Sequence, residues 1–463
     1  MVAPAQGRVE NKDLPVQINR DVDILFLIDD SPSMADKQKN LADNFPNFIK
    51  VLSSIQGGLP SVHIGVATSD MGTRGANGST GPGIGTLGAG GCANAGKNGV
   101  LQTFGAMVTG GNYISDIDDG AGGRTRNYDP AMNSLEQVFA TMAKAGAGGC
   151  GFEQHLEAMK QALTQAGQTS TPNSGFLRKD AFLAVVIIAD EDDCSIFDPG
   201  LLTNNEGTQL GALQSFRCTQ FGVICDDGGN TTATMKQVGT KGRCHPNDAS
   251  AYLTKVNDYV TFLKGLKDDP NKVIVAGIIG PTTPFSTELR APTKNGTPLP
   301  ALAHSCTYNG AGGATDVEVA DPPVRLKFFL DQFPNRSTFT TICQQDLSGG
   351  LTQIGDLLKA VIGDPCIEGN LADGDPNTAG VQPDCSVSQV QNINTSNQKE
   401  TLLPQCVEGQ PITPTTPPCW HLQQDLANCA NTPSHLTLTV ENKDQLSNDT
   451  HVVANCVTEV TNN

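Results

Sequence analysis

The stretch Asp23-Ile24-Leu25-Phe26-Leu27-Ile28-Asp29-Asp30-Ser31-Pro32-Ser33-Met34 decides how this chain is read. Ile24 to Ile28 is a continuous apolar run. A run that short, with no polar interruption, predicts a strand buried on both faces, as in parallel sheets. Ligands of such sheets gather just beyond the carboxyl ends of the strands. Asp29, Ser31 and Ser33 lie at that end, and hard oxygen donors suit a hard divalent cation. A turn capping the following helix through Ser33 or Asp36 would use the same residue types.

Outward from this stretch, elements alternate. Leu41, Phe45, Phe48, Ile49 and Leu52 recur at helical spacing between Ala35 and Ser54, with Pro46 inside the pattern and expected to kink or split it. A strand follows at 61–68 and ends at Ser69-Asp70, where Asp70 reads as a turn cap. Residues 71–98 are Gly-rich but lack the Gly-Lys-Ser/Thr ending of a phosphate loop, which predicts a surface loop tethered by Cys92. Asp129-Pro130 predicts a helix start running to about Ala145, and a second helix is expected from Phe152 to Ala166. The strand Phe182 to Ala189 runs into Asp190-Glu191-Asp192-Asp193, a second acidic cluster at a strand end. Helices are expected at 248–266, 322–333 and 347–362, and a strand at 272–279. This order predicts an α/β fold, a doubly wound, mostly parallel, Rossmann-like sheet with helices on both faces.

The chain has 463 residues and a net charge of −18, which argues against nucleic-acid binding. Its 14 Cys, none in the first 91 residues and none in a Cys-x-x-Cys pair, predict seven disulfides formed in an oxidising compartment. The spacing leaves their connectivity open. Paired cysteines imply a secreted or surface protein whose signal peptide has been removed. No apolar stretch approaches the about 20 residues of a membrane span.

The expected organisation is an N-terminal arm (1–20), an α/β domain (21–364) with insertions at about 71–125 and 195–247, and a small disulfide-rich β module (365–463). Six of the 14 Cys fall in the last hundred residues, and 435–441 and 451–457 alternate like strands. Asp373-Gly374-Asp375-Pro376-Asn377 has the alternating carboxylates of a calcium loop but Asp384 at the twelfth position, so it reads as a turn. Catalytic signatures are lacking: Glu153-Gln154-His155-Leu156-Glu157 only superficially resembles a metalloprotease helix, and no Gly-x-Ser-x-Gly occurs. No enzyme activity is expected.

The pattern Asp29-x-Ser31-x-Ser33 at the end of a buried strand resembles the von Willebrand factor A (VWA) domain, as in integrin I domains. In that family it opens a metal-ion-dependent adhesion site. A Thr from a second loop and an Asp after a later strand complete the site; Asp190 matches the Asp. Where the family has Thr, this chain has Gly148-Gly149-Cys150-Gly151-Phe152-Glu153. Sulfur suits Mg2+ or Ca2+ poorly, so Glu153, directly or through water, is the replacement ligand. The resemblance implies Mg2+ or Ca2+, with Mn2+ as a third option, held by Asp29, Ser31, Ser33, Asp190 and Glu153. It also implies adhesion to a protein or surface polymer that presents a carboxylate. Cysteine-rich bacterial VWA proteins of secreted or surface type look similar. The alternative is a structural subunit of an extracellular filament or surface layer, built from copies of the chain.

Overall fold

The structure is a computed structural model. It describes the chain except residues 1–7, 16–19, 56–57, 120, 207–208, 292–295, 311–312, 314–315, 364–365, 368, 376–381, 393–396, 408, 427–428, 430–431, 447–449 and 460–463. The chain divides into two units. One comprises residues 21–49 and 61–355, the other residues 1–20, 50–60 and 356–463.

The first unit is built on a seven-stranded sheet: β1 (Val22–Ile28), β2 (Val62–Thr68), β3 (Tyr113–Asp118), β4 (Arg124–Arg126), β5 (Phe182–Ile188), β6 (Val273–Ile279) and β7 (Ser337–Thr341). Their spatial order is β7-β6-β5-β1-β2-β3-β4. The five strands from β7 to β2 are parallel, and β3 and β4 add antiparallel at one edge. Every residue of β1, β2, β5 and β6 is buried, which is why their sequences are apolar without alternation. β1 leads to β2 on one side while β5 flanks its other side. Connections diverge there, and that divergence opens a crevice at the carboxyl ends of the strands.

The two faces of β1 pack differently. Phe26 meets Phe45 and Phe48 of α1 (Ala35–Ser53) at ring separations of 5.9 and 6.0 Å, and Phe139 of α2 (Leu135–Met142) at 4.6 Å. Leu25 and Leu27 join a buried cluster with Leu156, Met159 and Leu163 of α3 (His155–Ala166), Tyr259 and Leu263 of α4 (Val256–Lys264), and Phe329 and Leu330 of α5 (Val324–Asp331).

Pro46 does not split α1, which runs unbroken through it. Pro46 is exposed, while Phe45 and Phe48 fasten both halves to the same core. Three helices begin later than expected. Asp129 closes a turn instead, taking Ala131 N–H on Oδ1 at 2.9 Å, and α2 starts after a capping box of Ser134 and Gln137. Residues 152–154 are irregular, and α3 starts at His155. The segment before α4 is stitched to the loop after β5, with Thr254 N–H donating to Ser195 O at 2.9 Å.

Disulfides tie down both insertions. Cys92–Cys150 joins the Gly-rich loop to the segment before α3, and Cys194–Cys218 and Cys225–Cys244 hold the second insertion. That insertion is not all loop: it carries helices Phe216–Gly222 and Thr232–Met235 and a strand pair, Val223–Asp227 with Gly242–Pro246. Cys306–Cys343 is the fourth bridge of this unit.

The second unit contains an antiparallel sheet in the order Arg8–Pro15, Thr450–Thr458, Cys385–Gln391, Lys399–Leu402. Residues 8–15 are therefore a strand rather than an arm. An edge strand is held by its backbone ladder and needs no apolar alternation to reveal it. Cys366–Cys429, Cys385–Cys456 and Cys406–Cys419 cross-link this unit around Trp420. All 14 cysteines are paired. In the acidic loop, Asp373 Oδ1 accepts from the N–H groups of Asp375 and Gln382 at 3.1 and 3.2 Å, a turn; its residues 376–381 lie outside the described residues.

Candidate functional site

β1 and β5 run in register, Ile28 opposite Ile188, and Asp29 N–H donates to Ile188 O at 3.0 Å. This pairing delivers Asp29 and Asp190 to the same end of the sheet. Asp29 is fully buried. Its Oδ1 accepts from Ser31 N–H at 2.7 Å, and its Oδ2 has no hydrogen-bond partner. The hydroxyls of Ser31 and Ser33 are 3.1 Å apart. The Ser33 hydroxyl lies beside Asp190, whose Oδ1 is also buried and without a partner. Burial, followed by the charge of Asp29, raises the Asp190 carboxyl to about 6.

Glu153 comes to the same place. It is buried, faces Glu191, and feels the charges of Asp29 and Asp190. Burial and these neighbouring carboxylates push both Glu153 and Glu191 well above the usual carboxylate range. A cavity of about 160 Å³ opens beside Glu153 and Glu191 and is lined also by Arg290, His304 and Asp321. Cys150, which the resemblance would set in place of a Thr, is bonded to Cys92, which removes its sulfur as a ligand.

Sequence reasoning missed three charged groups. Lys37, fully buried, sits one helical turn after Ser33. Its ammonium is 3.2 Å from Asp190 Oδ2 and 2.5 Å from Glu318 Oε2, and it donates to Ser33 O at 3.0 Å. Burial pulls this ammonium down, but Asp190 and Glu318 outweigh that and raise it. The i+4 spacing from Ser33 was the available signal. His155, also fully buried, holds Nε2 3.6 Å from Asp29 Oδ2, beyond hydrogen-bond reach, and neither ring nitrogen has a partner. Burial lowers its affinity for a proton, and the nearby Asp29 carboxylate reverses the shift upward. Lys97, from the Gly-rich loop, pairs with buried Asp30. Burial still lifts Asp30 to about 6 against that pull.

Asp192 and Asp193 are tied into the fold. Asp192 caps α5 by accepting from the N–H groups of Arg325 and Leu326, each at 3.0 Å. Asp193 takes the Arg325 guanidinium at 2.9 Å and an N–H in the first turn of α3, from Leu156, at 3.0 Å. Asp70 accepts from Gly72 N–H at 2.8 Å and shapes the start of the Gly-rich loop.

Asp29, Ser31, Ser33 and Asp190 thus gather at the carboxyl ends of β1 and β5, with Glu153 near enough to feel the charges of Asp29 and Asp190, and the two orphaned carboxylate oxygens have the chemistry of a divalent-cation site. A bare buried oxygen is costly unless a cation or donor meets it. Among the described residues, however, no three His, Cys, Asp or Glu side chains already converge as a cage, and Lys37 holds the second oxygen of Asp190.

No protein-family model matches the chain, and no curated protein matches it. Among solved structures it is similar to the pilus adhesin (RrgA) from Streptococcus pneumoniae. The identity is 12%, over 98% of this chain and 58% of that one, at a TM-score of 0.26. The chain therefore spans little more than half of that adhesin, and a TM-score of this size carries no argument about function. No helix among the described residues is long and apolar enough to cross a membrane.

Proposed function

We propose that this chain is an extracellular or cell-surface adhesion protein with a doubly wound, VWA-like domain that binds ligand through a divalent cation. The observation that carries the reading is the pair of buried, unpartnered oxygens, Asp29 Oδ2 and Asp190 Oδ1, at the carboxyl ends of adjacent parallel strands. Asp29, Ser31, Ser33 and Asp190, with Glu153, would hold the ion. When bound, it offers an open coordination position to a carboxylate on a partner protein or surface polymer. These residues would hold the ion at the carboxyl ends of β1 and β5. The disulfide-tethered loops at 71–125 and 195–247 set specificity around it. The reading assigns no catalytic residue.

Calorimetric titration with Mg2+, Ca2+ and Mn2+ tests this. Binding by the unmodified protein, lost in Asp29→Ala with the disulfide-held fold intact, is the expected result. Absence of any binding would sink the reading. Lys37 favours a second one, a structural subunit of a filament or surface layer, because its ammonium neutralises Asp190 without a metal. Ordered polymers that persist in chelator under the electron microscope would select that alternative.

A further inference from the structure

The partner that the fold gives His155 is Asp29, at ion-pair distance. His155 is fully buried, opens α3, and leaves both ring nitrogens without a hydrogen bond. A buried imidazole without a hydrogen bond is a costly arrangement. The group opposite it is itself bare: Asp29 Oδ2, 3.6 Å from Nε2. That gap is too long for a hydrogen bond. It is close to the spacing of two ligands of one ion, since donors about 2.1 Å from a tetrahedral metal lie about 3.4 Å apart. Meanwhile Lys37 occupies the far side of Asp190, so the oxygen face of the site is already partly neutralised by the chain.

We infer that His155 Nε2 and Asp29 Oδ2 together form the heart of the cation site, giving a mixed nitrogen and oxygen donor set that selects a first-row transition ion over Mg2+ and Ca2+. The inference rests on the cation-site reading above and sharpens it by naming the class of ion. Imidazole is a good ligand for Co2+, Ni2+ and Zn2+ and a poor one for Mg2+ and Ca2+, whereas an all-oxygen set would favour the hard ions. Asp190, whose buried Oδ1 also lacks a hydrogen-bond partner, lies near Asp29 and beside the Ser33 hydroxyl.

The test is a set of titrations of the intact protein with Zn2+, Co2+ and Mg2+, repeated on His155→Gln and Asp29→Ala. A second readout follows the 15N signals of the seven histidines in the unmodified protein. The expected result is Zn2+ and Co2+ binding at least about tenfold tighter than Mg2+, a preference lost in His155→Gln while Mg2+ binding stays within about twofold. One imidazole signal should shift on Zn2+ addition, and that shift should be absent in Asp29→Ala. Mg2+ binding as tight as Zn2+, or saturation with Zn2+ without an Asp29-dependent imidazole shift, would overturn the inference. Either result leaves the oxygen-only site standing, with His155 as a plain ion-pair partner of Asp29. No binding of any of the three ions would remove both readings. If His155→Gln does not fold, the 15N measurements on the unmodified protein and on Asp29→Ala decide.

Discussion

At the scale of single residues, the site is a problem of charge balance. Asp29, Glu153 and Asp190 are buried together, and Lys37 is the cation that the chain itself supplies. Replacing Lys37 by Met leaves Asp190 and Glu318 facing each other without a counter-ion. Breaking a buried pair in this way costs about 3–5 kcal/mol. We expect that loss in denaturant unfolding without divalent ions, and a larger rise in melting temperature on adding a cation than the unmodified protein shows. No response to cation in either protein would argue that Lys37 has no bearing on metal. His63, distant in sequence from the motif, makes a separate test. Burial, then the charge of Arg178, lowers its pKa from 6.5 to about 4. A histidine lowered on folding contributes stability that is full above its unfolded pKa and is lost as pH falls toward the folded one. Between pH 7 and pH 5 its share of the loss is about 2 kcal/mol. His63→Asn should therefore lose about that much less stability over this interval, measured by urea unfolding at both pH values. Equal losses would contradict the shift.

At the scale of elements, the loops around the crevice are held by close approach as much as by disulfides. A Cβ on Gly149 would stand 2.3 Å from Asp30 Oδ1, and Asp30 is buried and paired with Lys97 of the Gly-rich loop. Gly149→Ala should therefore cost about 1–3 kcal/mol and loosen the 71–98 loop. Faster amide hydrogen exchange confined to that loop and to 148–153 is the expected signature, and unchanged exchange would count against it. Inside the sheet, Phe26 is wedged between Phe45, Phe48 and Phe139. Phe26→Ala should cost about 3–5 kcal/mol in unfolding experiments. The four central strands were legible in the sequence to within a residue or two, because burial on both faces leaves an unbroken apolar run, whereas the half-buried outer strands Tyr113–Asp118, Arg124–Arg126 and Ser337–Thr341 were not. Helix starts were less legible. Whether Asp129 caps a helix or closes a turn depends on which carbonyls and amides lie nearby, and Ser134 with Gln137 won at α2.

At the scale of the whole molecule, the two units rest on different kinds of stabilisation. The first buries a large aliphatic and aromatic core under its sheet, whereas the second has a small cluster around Val387, Trp420, Leu438 and Val452 and three disulfides. Small cores depend on such cross-links. Trp420, the sole tryptophan, is buried in the second unit and donates its Nε1–H to Leu403 O at 3.1 Å. Mild reduction should therefore shift tryptophan emission to longer wavelength before the helical circular dichroism falls. Simultaneous loss of both signals would show that the second unit does not depend on its bridges more than the first.

The sequence by itself determined the buried parallel strands, the acidic and hydroxyl groups at their carboxyl ends, and an even set of cysteines suited to pairing. Those follow from local pattern: apolar runs, strand ends and residue chemistry. Only the tertiary structure decided which cysteines pair, that residues 8–15 join Thr450–Thr458, and that Lys37 and His155 enter the crevice of Asp29 and Asp190. Lys37 and His155 lie on different helices, more than a hundred residues apart in the chain. No local period marks a polar residue as facing a distant carboxylate. Burial in the folded crevice is what turns each from an ordinary helix residue into part of the site.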